Sequence, residues 1–235
     1  MILNGKHHHI LRYNSMKIDK FFYINLDGDT KREKLLLKEI SKSKTLTNHI
    51  QRISAVNGKE LDLSNLKYEL TDEAYKDITT NDRIKELGGL VMTYGALGYW
   101  VTICDLFNMS IENNETYFVM DDDQIVNTDF DVLIKNVLNE LPEDFDFCYT
   151  STLTPQNMYE LEPYSDNLHK PKTALWGPNS FIVSPKGAKN ILEKILPIKY
   201  QIDTQLYLLI NRVDFYVSNI NLTVYNPTLE STIQV

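Results

Sequence analysis

Cysteine is scarce in this sequence, and basic charge is scarcer than acidic. Among 235 residues there are two cysteines, Cys104 and Cys148, and neither belongs to a C-x-x-C motif or a Cys/His cluster. A zinc site and a disulfide framework are therefore not indicated, and a reducing compartment fits best. Lys and Arg number 24 against 32 Asp and Glu, giving a net charge of -8. Nucleic acid, whose phosphates call for a basic face, is not an expected partner. Long apolar runs are lacking too, and no stretch approaches the roughly 20 residues that span a bilayer. The first twenty residues carry Lys6, His7-His8-His9, Arg12 and Lys17 where a signal peptide would have an apolar core. The expectation is a cytoplasmic protein with no membrane span. Residues 1–18 read as a flexible arm and residues 19–235 as one domain, long enough to bury a substantial core.

What is present is organised around Tyr117-Phe118-Val119-Met120-Asp121-Asp122-Asp123, four apolar residues running into three carboxylates. The apolar part has the length and the aromatic and β-branched content of a buried strand. Three adjacent Asp repel one another and belong at a strand's end. In an open α/β sheet, ligands bind beyond the carboxyl ends of the strands. Asp121 and Asp123, two apart, are a candidate pair for a hard divalent cation, Mg²⁺ or Mn²⁺. The plainer reading is a solvated acidic turn, and the strand just before it weighs against that.

Along the chain, residues 21–26 read as a strand, residues 31–40 as a helix with Leu35, Leu36 and Ile40 on its apolar face, and residues 50–56 as a second strand closed by Asn57-Gly58. Strand, helix, strand argues for an α/β protein with a mostly parallel central sheet. Residues 61–87 look peripheral, with a helix start at Thr71-Asp72-Glu73. Residues 90–108 form a core helix, in which Gly95 and Gly98 point to a late start or a close backbone approach. A helix over 130–141, with Val132, Leu133, Val137 and Leu138 inward, stops at Pro142. A strand at 145–149 precedes a polar loop over 150–172, followed by a strand at 180–183 and a helix over 188–196. Two closing strands lie at 215–217 and 222–225.

Several stretches, in collinear order, resemble glycosyltransferase family 25, the family of lipooligosaccharide and procollagen galactosyltransferases. Phe22-Tyr23-Ile24-Asn25-Leu26-Asp27 with Lys31-Arg32 resembles its opening strand, and Arg52-Ile53-Ser54-Ala55-Val56-Asn57-Gly58 its second. Thr93-Tyr94-Gly95-Ala96-Leu97-Gly98, the acidic triplet, and Ser180 to Lys189 continue the match, and Asp203 falls at a late family Asp. Departures stand at Ala96, where Glu is usual, Tyr99, where Cys is usual, and Thr102-Ile103, where Ser-His is usual.

The resemblance implies a single GT-A, Rossmann-like domain that moves galactose or glucose from a UDP-sugar to a glycan or hydroxylated side-chain acceptor, inverting the anomeric centre. It implies Asp121 and Asp123 as ligands of Mn²⁺ or Mg²⁺. Asn25, Leu26, Ala55, Val56 and Asn57 would line the nucleotide pocket, with Arg32 and Arg52 reaching the nucleotide. Asp122 would meet a ribose or sugar hydroxyl, and Trp176 would stack on a sugar face. Asp203 is the expected general base, with Asp214 as substitute, although an Asp at that place also reads as a helix N-cap. Two rivals remain open: a haloacid-dehalogenase-type phosphatase using Asp121 and Asp123, and a catalytically silent glycosyltransferase-like scaffold.

Overall fold

A computed structural model describes residues 18–80, 91–153 and 160–229. Residues 1–17 of the expected arm lie outside them. The sheet begins with β1 (Lys20–Asn25), which pairs in parallel with β2 (Ile50–Ser54) on one side and β3 (Tyr117–Asp121) on the other. Beyond β3 come β8 (Ser180–Val183), β5 (Phe147–Ser151), β9 (Phe215–Ser218), β7 (Leu168–Pro171) and the edge strand β6 (Leu161–Pro163). β8 and β7 run against the rest, so the sheet is mixed but mostly parallel. A separate ribbon pairs β4 (Gln124–Val126) with β10 (Thr223–Tyr225).

Alternation along the central strands builds two cores. Phe22 and Ile24 of β1, with Tyr117 and Val119 of β3, pack on one face beneath α4 (Tyr94–Asn113) and α6 (Pro185–Ile195). Phe21, Tyr23, Phe118 and Met120 point the other way, against α1 (Thr30–Ile40), α2 (Lys44–His49) and α5 (Phe130–Glu140). The result is the three-layer, Rossmann-like α/β arrangement that βαβ patterning predicts. Two short helices, α3 (Asp72–Thr80) and α7 (Ile202–Tyr207), flank the first core. No helix among the described residues is long and apolar enough to cross a membrane.

Three sequence expectations are corrected. Val132 is exposed, because Phe130, Ile134 and Val137 set the buried face of α5. Leu35 of α1 likewise faces outward while Leu36 and Ile40 are buried. Within the loop expected over 150–172 lies the β6–β7 hairpin. Its prolines, Pro163 and Pro171, sit at the ends of strands at the sheet's margin, where a missing amide donor is tolerated.

The glycines of α4 have both predicted meanings. The helix starts late, at Tyr94, capped by Thr93 through the Ala96 amide. Gly98 lets the segment after β2 lie against it: a Cβ there would sit 2.4 Å from the Val56 carbonyl oxygen and 2.6 Å from the Gly58 nitrogen. Both are backbone atoms, which cannot swing aside. Gly98→Ala is therefore expected to destabilise the protein by about 2 kcal/mol or more, as overpacking does. Urea denaturation checks this, and an unchanged midpoint would show that the backbone there yields.

Candidate functional site

The carboxyl ends of β1 and β3 lie side by side, Ile24 opposite Asp121 in register. β3 closes at Asp121, a turn carries Asp122 and Asp123, and β4 leads away. The acidic triplet thus sits at the carboxyl end of β3, an interior strand, as expected, but it is not a solvated turn. Asp122 is only 8% exposed and both its oxygens are engaged. Asn25 Nδ2 donates to Oδ2 at 2.7 Å, and Arg32 donates to Oδ1 through Nε at 2.8 Å and Nη2 at 2.5 Å. Arg32 Nη2 also reaches Asp123 Oδ2 at 3.0 Å.

Arg32 is 7% exposed on the first turn of α1, so it is a structural counter-ion rather than a solvated helix residue. Burial alone would lower its pKa, and the hydrogen bond and charge of Asp122, backed by Asp123, more than reverse that. Burial pushes Asp122 up, while its bonds from Arg32 and Asn25 pull it back part of the way. A guanidinium does not lose its proton in a protein, so a charged Arg32 faces the triplet.

Arg52 braces the same strand end from the side. It donates to Asn25 Oδ1, to the Asn25 carbonyl and to Asp27 at 2.8–3.1 Å, and it lies outside the cavities described next.

Two cavities meet at the triplet. The first, about 390 Å³, is lined by Asn25, Leu26, Arg32, Ala55, Val56, Asn57 and the three Asp, with Gly95 and Tyr99 from α4. Every expected nucleotide-pocket residue except Arg52 and Trp176 is brought together there. The loop carrying Ala55 to Asn57 is held by the Val56 amide, which donates to Thr102 Oγ1, and by Asn57, which caps the short 3₁₀ turn Gly58–Glu60. The second cavity, about 270 Å³, is lined by Tyr99, Asp121 and Asp123 again, with Ala96, Leu153, Gly177, Pro178, Asn179, Gln201, Ile202, Asp203 and Tyr225.

Asp203 is not an N-cap. Gln201 occupies the N-cap of α7, and Asp203, one residue into the helix, lines the second cavity. Burial raises its carboxyl from 3.8 to about 6, and a hydrogen bond from the Gly177 backbone offsets only part of that rise. Gly177 delivers this bond at φ +67, a left-handed conformation that suits glycine. The substitute, Asp214, lies outside both cavities on the surface, near Lys170 and Lys186. Trp176 is 49% exposed and lines neither cavity, although Gly177 and Pro178 beside it line the second.

Tyr99, which enters the sequence only as a departure from a pattern, is the wall between the cavities. Its hydroxyl donates to Asp121 Oδ1 at 3.0 Å. Burial, followed by the charges of Asp121, Asp203 and Asp123, holds it protonated. The helical spacing of Gly95, Tyr99 and Thr102, which share one face of α4 with Gly98, is the signal that would have found it. Asp121 itself is pushed well above the usual carboxylate range, by burial first and then by repulsion from Asp123 and Asp122. Gln124 Nε2 fixes Asp123 by donating to Oδ1 at 2.8 Å.

Among the described residues no three His, Cys, Asp or Glu gather about one metal position. Asp121 and Asp123 are the two carboxylates that line both cavities. Magnesium-type ions held by one or two carboxylates plus substrate phosphates need no more, and the frustrated ionisation of Asp121 is what a nearby cation relieves. The donor set fits such an ion.

No curated protein sequence matches this chain. Among solved structures, the crystal structure of a glycosyltransferase involved in the glycosylation of the major capsid of PBCV-1 is similar. It covers 90% of this chain and 93% of its own, at 10% identity and a TM-score of 0.41. The model of glycosyltransferase family 25 (LPS biosynthesis protein) matches residues 18–206, which include the triplet, the first cavity and Asp203. On that match, which spans most of its length, the chain belongs to glycosyltransferase family 25.

Proposed function

We propose that this chain transfers a hexose, galactose or glucose, from a UDP-sugar to a hydroxyl of a glycan or hydroxylated side chain, with inversion and with Mn²⁺ or Mg²⁺ as cofactor. The observation that carries the reading is the pair of cavities sharing Tyr99, Asp121 and Asp123, with Asp203 in the second. The first would take the nucleotide against Asn25, Leu26, Ala55, Val56 and Asn57. Asp121 and Asp123 would hold the ion, which when bound neutralises the pyrophosphate and stabilises the departing diphosphate. In a chain of net charge -8, carboxylates and phosphates need a cation between them.

The chain's own groups supply the rest. Arg32 and Asn25 lock Asp122, and through it the turn that presents Asp121 and Asp123. Tyr99 orients Asp121 by donating to it. Asp203, with a pKa of about 6, is ionised at neutral pH yet basic enough to accept a proton. As the acceptor oxygen bonds to the anomeric carbon, its proton passes to Asp203 and the bond to the diphosphate breaks, leaving its electron pair on UDP.

Calorimetric titration with UDP, with and without Mn²⁺, tests the reading on the wild type and on Asp121→Ala/Asp123→Ala. Binding that requires Mn²⁺ and disappears in the double variant is expected. No UDP binding under either condition would overturn the nucleotide-sugar reading and leave the silent-scaffold and phosphatase readings ahead.

A further inference from the structure

Asp123 is gripped twice by the segment around β10. Asn226, just after that strand, donates its backbone amide to the Asp123 carbonyl at 2.8 Å. The second grip is on the side chain, and it runs through groups buried along their whole length: Gln124, Thr223, Ser180 and Thr150 are each at most 1% exposed.

Hydrogen-bond chemistry gives this chain of groups one direction. A carboxylate only accepts, so Gln124 turns its Nε2 toward Asp123 Oδ1, at 2.8 Å. The Gln124 oxygen, which also only accepts, takes the proton of Thr223 Oγ1 at 2.9 Å. A hydroxyl has one proton to give. With that proton committed, Thr223 accepts from Ser180, whose Oγ lies 2.9 Å away, and Ser180 accepts in turn from Thr150 at 2.7 Å. Every donor therefore points toward Asp123, and turning any one of them over leaves a buried partner unmatched.

The fold departs from regularity where this chain begins. β5 pairs with β8 as Tyr149 with Phe181 and then Ser151 with Ser180, so Thr150 is the extra residue of a bulge, a device that re-aims a side chain. The Thr150 carbonyl accepts from the Leu222 amide at 2.8 Å, which seats the β4–β10 ribbon on the main sheet and sets Thr223, the next residue, against Gln124. The family match ends at residue 206 and does not reach Thr223.

We propose that Thr223 is a positioning residue for the ion: through the Gln124 amide it fixes the rotation of the Asp123 carboxylate, whose other oxygen is held by Arg32. This rests on the reading of Asp121 and Asp123 as ligands of Mn²⁺ or Mg²⁺. Without the Thr223 proton the buried Gln124 oxygen is unmatched, and the amide can satisfy it only by leaving Asp123.

The test measures Mn²⁺ binding to the full chain from the electron paramagnetic resonance signal of the unbound ion, with and without UDP, beside urea denaturation of the metal-free protein. Thr223→Val keeps the shape and removes the hydroxyl. It is expected to raise the Kd for Mn²⁺ about tenfold, the lower end of what changes behind a metal ligand cost. Thr223→Ser, which restores the hydroxyl, should return the Kd to within twofold of wild type. Thr150→Val lies at the far end and leaves Ser180 its proton for Thr223, so it should raise the Kd no more than about threefold while lowering the urea midpoint as Thr223→Val does. Gln124→Met, which removes the contact to Asp123 itself, should weaken Mn²⁺ by tenfold or more, and it serves where the valine variant does not fold.

Equal losses of Mn²⁺ affinity in Thr223→Val and Thr150→Val would overturn the proposal, because a role in packing alone has no such gradient. So would a serine variant as weak as the valine one, or an unchanged Kd in Thr223→Val or in Gln124→Met. A wild type that binds neither Mn²⁺ nor UDP would overturn the ion-ligand reading and this proposal with it.

Discussion

Asp203→Asn is expected to lower kcat by about a thousandfold while leaving UDP affinity unchanged, because general-base catalysis contributes on the order of 10²–10⁴. Burial raises its carboxyl to about 6, so on the proposed role Asp203 should set the acid limb of the wild-type profile. The base works only when deprotonated, so kcat/KM should rise with pH through about 6 and level off above it. The variant should lose that limb along with the rate. Stability should move the other way. A folded-state pKa above the ordinary 3.8 means that the native state binds the proton more tightly than the unfolded chain, so stability falls as pH rises between about 4 and 6. Above that window the charged Asp203 weighs constantly on the fold. The rise corresponds at most to about 3 kcal/mol, and water in the cavity reduces it to about 1–2 kcal/mol. Asp203→Asn should therefore be more stable than wild type at pH 7.5 and equal to it near pH 4, in denaturant titrations at both values. A variant that keeps most of its kcat, or a wild-type profile flat between pH 5 and 8, would remove Asp203 from the base role.

Reading such a site from sequence succeeds where the information is local. Tyr117 to Asp123 announces a buried strand and its acidic end within seven residues, and the segments that line the first cavity, Asn25-Leu26 and Ala55 to Asn57, follow strands that composition alone marks. Arg32 is different. Its neighbours in sequence are those of an exposed helix face, and its partners Asp122 and Asp123 lie 90 and 91 residues away, so only parallel pairing of β1 with β3 reveals that it is buried. The second cavity is less legible still. Ala96, Leu153, Gly177, Asp203 and Tyr225 come from five separate stretches, and no local pattern links them. Trp176 drew attention as an aromatic near a strand, yet the residue of consequence there is Gly177, whose backbone reaches Asp203. Of the departures, Ala96 and Ile103 are the losses that favour a silent scaffold; Ile103 is buried in the core, while Ala96 and Tyr99 line the second cavity. They change its wall without removing the triplet or Asp203.

Arg32→Ala is expected to be the most destabilising single change at the site, by about 3–5 kcal/mol, the usual cost of removing one partner of a buried pair. The severity comes from the carboxylate that stays buried without its counter-ion. Asp122 is 8% exposed, Asp123 and Asp121 crowd it with like charge, and Asn25 would remain to hold it. In a chain of this size that corresponds to a fall in Tm of roughly 6–20 °C. The pH dependence identifies the cause. Without the guanidinium, the folded-state pKa of Asp122 climbs further above its unfolded value, so the missing stability returns as pH falls and Asp122 takes up a proton. The deficit relative to wild type should therefore shrink between pH 7.5 and 5.5. Arg32→Lys should be intermediate, keeping the charge but losing the two-nitrogen grip on Asp122 and the reach to Asp123. Arg32→Ala/Asp122→Ala should recover part of the loss, since the orphaned charge is gone. Denaturant titrations of the three variants at the two pH values measure all of this. A deficit independent of pH, with no recovery in the double variant, would mean that Arg32 acts through packing of its stem on α1 and not as the counter-ion of the acidic turn.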